Sequence, residues 1–158
     1  TPTLLTPKPS QLVRLPNWED RWSEFVMATR REPMIWGQTD CLLTAGKNIE
    51  ALTGVDLFSQ HWGKYDSALG ALRYMQELRI DFARFEDVVD YYLPETHLAM
   101  AKRGDIVSYG QGIGIVVGAK ALFKVVASND PDAEPLPEPL TSINDISIFD
   151  CDRVWKVG

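Results

Sequence analysis

The feature that most constrains the fold is a change in the spacing of apolar residues near position 95. Before this position, apolar residues recur every three or four residues, which is typical of amphipathic helices. After it, they come in short β-branched or aromatic runs broken by glycines, which is typical of antiparallel strands. Helices first and strands second favour an α+β domain, with the helices packed on a small antiparallel sheet.

Four helices are predicted in the first part of the chain. Their capping and stopping residues set the expected boundaries. The predicted helices are one capped by Asn17 and stopped by Pro33, one from Cys41 to about Thr53 ended by Gly54, one capped by Asp66, and one over Phe82 to Tyr92 ended by Pro94. The apolar stripe of the first includes Trp18 and Trp22, which are therefore assigned to the core rather than to a ligand platform.

Five short strands are predicted in the second part, separated by turn residues. They cover residues 105–109, 113–117, 121–126, 146–149 and 154–157. Residues 128–144 carry four prolines and four acidic residues, which indicates a surface loop or a contact arm. Residues 1–16 also carry four prolines and few apolar anchors, so they are predicted to form an extended arm that precedes a single domain over 17–158.

Composition excludes several classes of function. The chain has 158 residues, which is the size of one domain, and a net charge of −6 with a pI near 4.9, which argues against a nucleic-acid partner. It has no apolar stretch long enough to span a membrane and no signal-peptide pattern, so synthesis in a cytoplasm is expected. The two cysteines, Cys41 and Cys151, form no CxxC pair, so free thiols are expected, with no metal site and no cofactor.

Cys41 is the candidate nucleophile. It is predicted to lie in the first turn of a helix, where free N–H groups and the helix dipole lower the pKa of a thiol. It also belongs to an apolar stripe with Leu42, Ala45 and Ile49, so a purely structural role is the competing interpretation. For Asp40, a role as helix cap is favoured over a role as catalytic acid.

Three segments carry a resemblance to a known family. They are Trp36-Gly37-Gln38-Thr39-Asp40-Cys41, Arg103-Gly104-Asp105-Ile106-Val107 and Gly114-Ile115-Val116-Val117-Gly118. Together they resemble the NlpC-type cell-wall cysteine peptidases, which are papain-like. From about Trp22 onward, the chain is also similar to a family of short bacteriophage and prophage tail proteins of unassigned activity. That similarity adds the segments 51–56 and 63–65 and the closing residues 154–158.

The resemblance implies a papain-like fold in which Cys41 matches the nucleophile. It places Gly112 where the peptidases have their histidine, and the third, orienting position falls near Lys124. Both catalytic partners would then be missing, and loss of a general acid-base group typically costs 10²–10⁴ in rate. We therefore expect a degenerate domain that is a structural component of a phage tail tip or baseplate in the virion, and not an enzyme.

Two alternatives remain open. The first is an active cysteine peptidoglycan endopeptidase that uses Cys41, with His61 or His97 as a substitute base although neither lies at the expected place. The second is a domain that binds cell-wall peptides without cutting them, which makes peptidoglycan a candidate partner. The expected contacts of the structural protein are other tail or baseplate proteins, bound through the arm and the 128–144 loop.

Overall fold

The structure is a computed structural model that describes residues 7–9, 11–110, 112–124 and 143–158. Its helices and strands follow the predicted order and make an α+β domain. The helices are α1 (Trp18–Thr29), α2 (Cys41–Thr53), α3 (Ala68–Leu78) and α4 (Phe85–Tyr92). The strands are β1 (Glu95–Thr96), β2 (Ile106–Tyr109), β3 (Gly112–Val116), β4 (Lys120–Phe123), β5 (Ile143–Ser147) and β6 (Arg153–Trp155).

The strands form one antiparallel sheet in the order β1-β6-β2-β3-β4-β5. Because side chains alternate across a sheet, strands β2, β3 and β6 contribute to two cores, one on each face. The helix-side core joins α1 to α4 to sheet residues such as Ile106, Ile113 and Trp155. The outer core, on the opposite face, contains Val107, Val116, Ala121, Phe123, Ile148, Cys151 and Val154.

Helix α2 is the central helix, as its sequence predicts. Leu42, Ile49 and Leu52 on its apolar stripe are fully buried, and it packs on α1 and on β3. Gly54 ends it with a φ of 77°, a left-handed conformation that suits glycine. Trp22 of α1 is 5% exposed and donates a hydrogen bond of 2.8 Å to Asn48 of α2, which confirms its place in the core.

Several predicted boundaries were wrong. Asn17 occupies the N-cap position of α1 but makes no side-chain cap bond. The cap of α3 is Ser67, whose hydroxyl accepts from the Gly70 N–H at 3.0 Å, and not Asp66. Helix α4 begins at Phe85 rather than Phe82. Asp87 in its first turn accepts hydrogen bonds from the backbone N–H groups of Ala83 and Arg84, the two residues before the helix.

The sheet also differs from prediction at both of its ends. Strand β1 was not predicted, since a strand of two residues is too short to show an alternation of apolar and polar residues. Strand β5 begins at Ile143, inside the predicted loop, and the segment Ile148–Asp150 that follows it is a 3₁₀ turn. The end of the predicted strand at 125–126 and loop residues 128–142 lie outside the described residues.

The last residues of the predicted arm lie against the domain. The Leu15 N–H donates to the Leu52 carbonyl at 2.8 Å, and Leu12 packs against the helix-side core. The guanidinium of Arg14 donates to the carbonyls of Val157 at 2.8 Å and Arg103 at 2.7 Å. Further along the arm, the ammonium of Lys8 lies over the Tyr91 ring, 5.2 Å from its centroid, so contacts with the domain begin at least as early as Lys8. Within the described ranges, no helix is long and apolar enough to cross a membrane.

Candidate functional site

The turn before Cys41 depends on Gly37. Its φ is +78°, and a Cβ at this position would lie 2.0 Å from the backbone oxygen of Tyr65. Only glycine fits this conformation and this close approach. The Gly37 carbonyl accepts a hydrogen bond from Gly63 at 2.7 Å, which ties the turn to the segment after α2.

Asp40 holds the turn and the start of α2 together. Its Oδ1 accepts the N–H groups of Leu42 and Leu43, both at 3.0 Å, and its Oδ2 accepts the Gly37 N–H at 2.8 Å. The residue is fully buried. The prediction that Asp40 caps the helix is confirmed, and both carboxylate oxygens are engaged by backbone groups.

Cys41 faces the sheet in a small recess that we call the Cys41 recess. It is lined by Cys41, Thr44, Ala45, Ile113, Gly114, Ile115, Leu122 and Lys124, and its volume is about 10 Å³. A single water needs roughly 10–15 Å³ of such space. The recess therefore has no room for a peptide substrate in this conformation.

The thiol is not activated. Burial, with a second contribution from the negative charge of Asp40, raises the pKa of Cys41 to about 11. The backbone of Ile113 and the ammonium of Lys124 favour the thiolate but do not offset these effects. The backbone of Cys41 at the helix start also favours the thiolate, but only slightly, so the expectation of a lowered pKa is wrong and the sulfur is a neutral thiol at pH 7.

The residue of β3 beside the sulfur is Ile113. Gly112 belongs to the opposite face, since a Cβ there would lie nearest to the Tyr109 oxygen at 3.7 Å and the Phe123 ring at 3.9 Å. Phe123 belongs to the outer core, whereas Ile113 belongs to the helix-side core with α2. An isoleucine side chain can neither accept nor deliver a proton, so β3 supplies no base to Cys41.

Lys124 follows β4 on the same face as Leu122 and lines the recess with Cys41. Its side chain is 3% exposed, and its ammonium lies 3.4 Å from an oxygen of Glu32. Burial lowers the pKa of Lys124, while Glu32 opposes that shift. The lysine thus fills the recess and pairs with a carboxylate on the loop between α1 and α2.

Neither histidine lines the Cys41 recess. His61 is fully buried, and its Nδ1 lies 2.7 Å from the Tyr74 hydroxyl. Burial lowers the pKa of His61 to about 4, so the ring is neutral. His97 is exposed, and its Nδ1 accepts a hydrogen bond from the Ala99 N–H at 3.2 Å. The structure brings neither ring to the sulfur.

Sequence reasoning missed the role of Asp105. This fully buried carboxylate accepts from the Val157 N–H at 3.1 Å and the Lys102 N–H at 3.0 Å, and it pairs with Arg14 at 3.2 Å. It joins the arm, the start of β2 and the end of the chain. The Arg-Gly-Asp motif marked the position but not these long-range partners.

In the part of the chain that the structure describes, no group of three His, Cys, Asp or Glu could hold a metal ion.

Comparison with known families places the chain in one of them. A family model described as "Domain of unknown function (DUF6950)" matches residues 13–157. The chain belongs to this family. No curated protein and no solved structure matches it. The matched range includes Cys41 and Asp105 and also Arg14, so the last residues of the predicted arm are part of the family domain.

Proposed function

We propose that this chain is a catalytically silent, papain-like domain that serves as a structural component of a bacteriophage tail tip or baseplate. The observation that carries the proposal is that Ile113 lies beside Cys41, at the position where a cysteine peptidase needs a base. The rest of the recess supports the same conclusion.

The papain-like part of the proposal rests on the arrangement of the central helix and the sheet around Cys41. A cysteine in the first turn of a central helix faces the middle strands of an antiparallel sheet, and the helix precedes the sheet in the chain. The strand beside the sulfur is β3, and the next strand, β4, leads to Lys124. This is the order of nucleophile, base position and orienting position that the resemblance implies, with Ile113 rather than Gly112 at the base position.

The silent part rests on chemistry. Amide hydrolysis by a thiol needs a thiolate, a group that protonates the leaving amine, and space for the substrate. Here the pKa of the thiol is raised to about 11, the adjacent strand residue is apolar, and the recess is about 10 Å³. The failure of any one of these conditions slows the reaction, and all three fail together in the Cys41 recess.

The phage-tail part rests on the sequence resemblance. The residues that carry it have structural roles in this fold: Gly37 permits the turn, Asp40 caps α2, and Asp105 joins three segments. The presence of such residues without a catalytic base is what we expect of a domain with a structural role. An acidic surface suits contacts with other proteins rather than with DNA.

The test compares the wild-type protein with Cys41→Ala on purified peptidoglycan, with released peptides identified by mass spectrometry. Cys151→Ala, at the thiol of the outer core, is the matched control. We expect no release by any of the three proteins. Release by the wild type and Cys151→Ala but not by Cys41→Ala would establish the peptidase alternative.

The tail assignment is tested separately, by detecting the protein in purified particles of the phage or prophage that encodes it. We expect the wild type and Cys41→Ala to be present in particles at the same copy number. Particles with complete tails that lack the protein would overturn the structural role.

A further inference from the structure

The side chain of Trp62 is 61% exposed, although the segment that carries it is held in place on both sides. His61 before it is fully buried, and the Trp62 N–H donates to the Ser59 carbonyl at 3.1 Å. After it, the Gly63 N–H donates to the Gly37 carbonyl at 2.7 Å. Trp62 therefore presents a large apolar ring to solvent from a fixed backbone.

The indole of Trp62 has no structural partner among the described residues. Its N–H donates no hydrogen bond there, and its ring contacts neither another aromatic ring nor a cation. Each of the other four tryptophans makes such a contact: Trp18 with Trp22, Trp36 with Phe85, and Trp155 with Asp90. An aromatic ring that is rigidly held but unused within the fold is typical of a binding surface.

The ring of Trp62 forms one wall of a pocket of about 300 Å³, which we call the Trp62 pocket. Its floor is apolar and belongs to α2, where Leu43 is 4% exposed. Gly46 lets the segment that carries Trp62 approach this helix closely, because a Cβ at Gly46 would lie 2.7 Å from the Cβ of Phe58. The volume is at the lower end of the range for small-molecule sites, roughly 300–1,000 Å³.

Polar side chains with unused hydrogen-bonding capacity surround this apolar floor. Gln38, Lys47 and Glu50 are exposed and line the pocket, and none of these side chains forms a hydrogen bond or an ion pair with a described residue. Asp56 also lines it, but its carboxylate accepts from the backbone N–H of Ser59, at 3.0 Å, and from the hydroxyl of the same residue. The three unengaged groups are an amide, a cation and an anion, which offer both donors and acceptors.

This combination of groups fits a neutral sugar. One face of a pyranose ring consists of C–H groups that pack on an aromatic ring, and the hydroxyls at its edge both donate and accept hydrogen bonds. An anionic ligand would be repelled by Glu50 and Asp56, and a cationic ligand would be repelled by Lys47. A purely apolar ligand would cover the polar groups without pairing them.

We propose that the Trp62 pocket binds a neutral hexopyranose. The indole of Trp62 packs against the face of the sugar, and Gln38, Lys47 and Glu50 form hydrogen bonds with its hydroxyls. The Trp62 pocket shares no residue with the Cys41 recess, so this inference goes beyond the proposed structural role and does not depend on it.

The experiment titrates the ¹⁵N-labelled full chain with glucose, galactose, mannose and N-acetylglucosamine, each up to about 50 mM, and follows the protein signals by NMR. At least one of these sugars should shift the indole N–H signal of Trp62, which is assigned by its absence from Trp62→Ala. The same sugar should shift the backbone amide signals of Lys47 and Glu50, which measure binding in the variants.

Trp62→Ala should bind that sugar at least about tenfold more weakly than the wild type, because the variant loses the stacking surface. Phe149→Ala is the matched control. It removes another exposed aromatic ring, which is 76% exposed, and should bind like the wild type. Urea unfolding should show that Trp62→Ala is as stable as the wild type, since the ring it removes faces solvent.

The absence of a shift with all four sugars would overturn the proposal, and so would equal weakening by Trp62→Ala and Phe149→Ala. If no sugar binds and Trp62→Ala is also missing from tail particles, Trp62 belongs to a protein interface instead. Peptidoglycan cleavage in the test above, in contrast, would overturn the proposed function and leave the sugar titration unaffected.

Discussion

At the scale of single residues, Cys41 shows why a position at a helix start does not by itself make a thiol reactive. The N–H groups that would stabilise a thiolate are those of the first turn. Two of them, on Leu42 and Leu43, already donate to the carboxylate of Asp40. The cap therefore satisfies the helix terminus and adds a negative charge beside the sulfur. Together with burial, this favours the protonated thiol.

We predict that Cys41 reacts slowly with iodoacetamide at neutral pH. A pKa of about 11, compared with an ordinary value of 9.0, leaves about 100-fold less thiolate at pH 7. The alkylation rate should rise tenfold per pH unit up to about pH 11. The rate is measured at the peptide that contains Cys41 by mass spectrometry, because the pKa of Cys151 is also raised to about 11.

The Asp40→Asn variant provides the internal comparison. Asparagine retains the oxygen that caps Leu42 and Leu43, although it loses the acceptor for the Gly37 N–H, and it removes the charge. The thiol of the variant should therefore react faster than that of the wild type at pH 8. A wild-type rate that reaches its plateau below pH 8 would show that the sulfur is activated after all.

At the scale of elements, the segment 11–16 is bound to the domain by the side chain of Arg14, together with the Leu15–Leu52 backbone hydrogen bond and the packing of Leu12. Arg14 pairs with the buried Asp105 and donates to two carbonyls that belong to different parts of the chain. Its guanidinium also lies over the Trp18 ring, 4.5 Å from the centroid. The segment is therefore part of the fold, and Lys8 before it also contacts the domain at the Tyr91 ring.

We predict that Arg14→Ala lowers the free energy of unfolding by about 2–4 kcal/mol, because it leaves the buried Asp105 without its main cation. Arg73→Ala, at an exposed arginine of α3, should change it by less than about 0.5 kcal/mol. Urea unfolding followed by tryptophan fluorescence measures both. Deletion of residues 1–10 should destabilise the domain less than Arg14→Ala does, and deletion of residues 1–16, which also removes Leu12 and Leu15, should destabilise it at least as much. Equal stability of the two deletions would contradict this account.

The same scale shows what the sequence could predict. The central helix was predictable at both ends, because Asp40, Cys41 and Gly54 are local signals. The cap of α3 was not, since Asp66 and Ser67 are both good caps and only the extended backbone of Ser67 (φ −153°, ψ 166°) decides between them. Local signals fix the type of an element but not its last residue.

The candidate site was less predictable because its contacts are not local. Glu32 and Lys124 are 92 positions apart, and no motif links them. The residue beside the sulfur depends on the register of β3, where a shift of one position exchanges the two faces of the sheet. That shift distinguishes Ile113, which faces Cys41, from Gly112, which does not.

At the scale of the whole molecule, His61 makes stability depend on pH. Its ring lies in the helix-side core against Phe58 and Tyr74, with centroid distances of 6.0 and 5.4 Å. One ring nitrogen meets the Tyr74 hydroxyl, and Nε2 is buried without a partner among the described residues. Protonation would place a charge at a site with no acceptor for the second N–H, so the folded protein favours the neutral ring.

We predict that the protein loses stability on acidification between about pH 6.5 and pH 4. The pKa of His61 falls from an ordinary 6.5 to about 4 on folding, so the unfolded chain takes up the proton first and is stabilised as the pH falls through this window. By pH 4 the loss should be about 3 kcal/mol, with little further change from this group at lower pH. Urea unfolding at several pH values measures it.

The variant His61→Gln isolates this contribution from that of all other titrating groups. Glutamine does not titrate in this range, so the variant should be less stable than the wild type at pH 7 but should lose less stability down to pH 4. His97→Gln, at an exposed histidine, should keep the wild-type pH dependence. Parallel curves for the wild type and His61→Gln would mean that the acid response of the whole molecule does not come from His61. The buried ring would then contribute only packing and its bond to Tyr74.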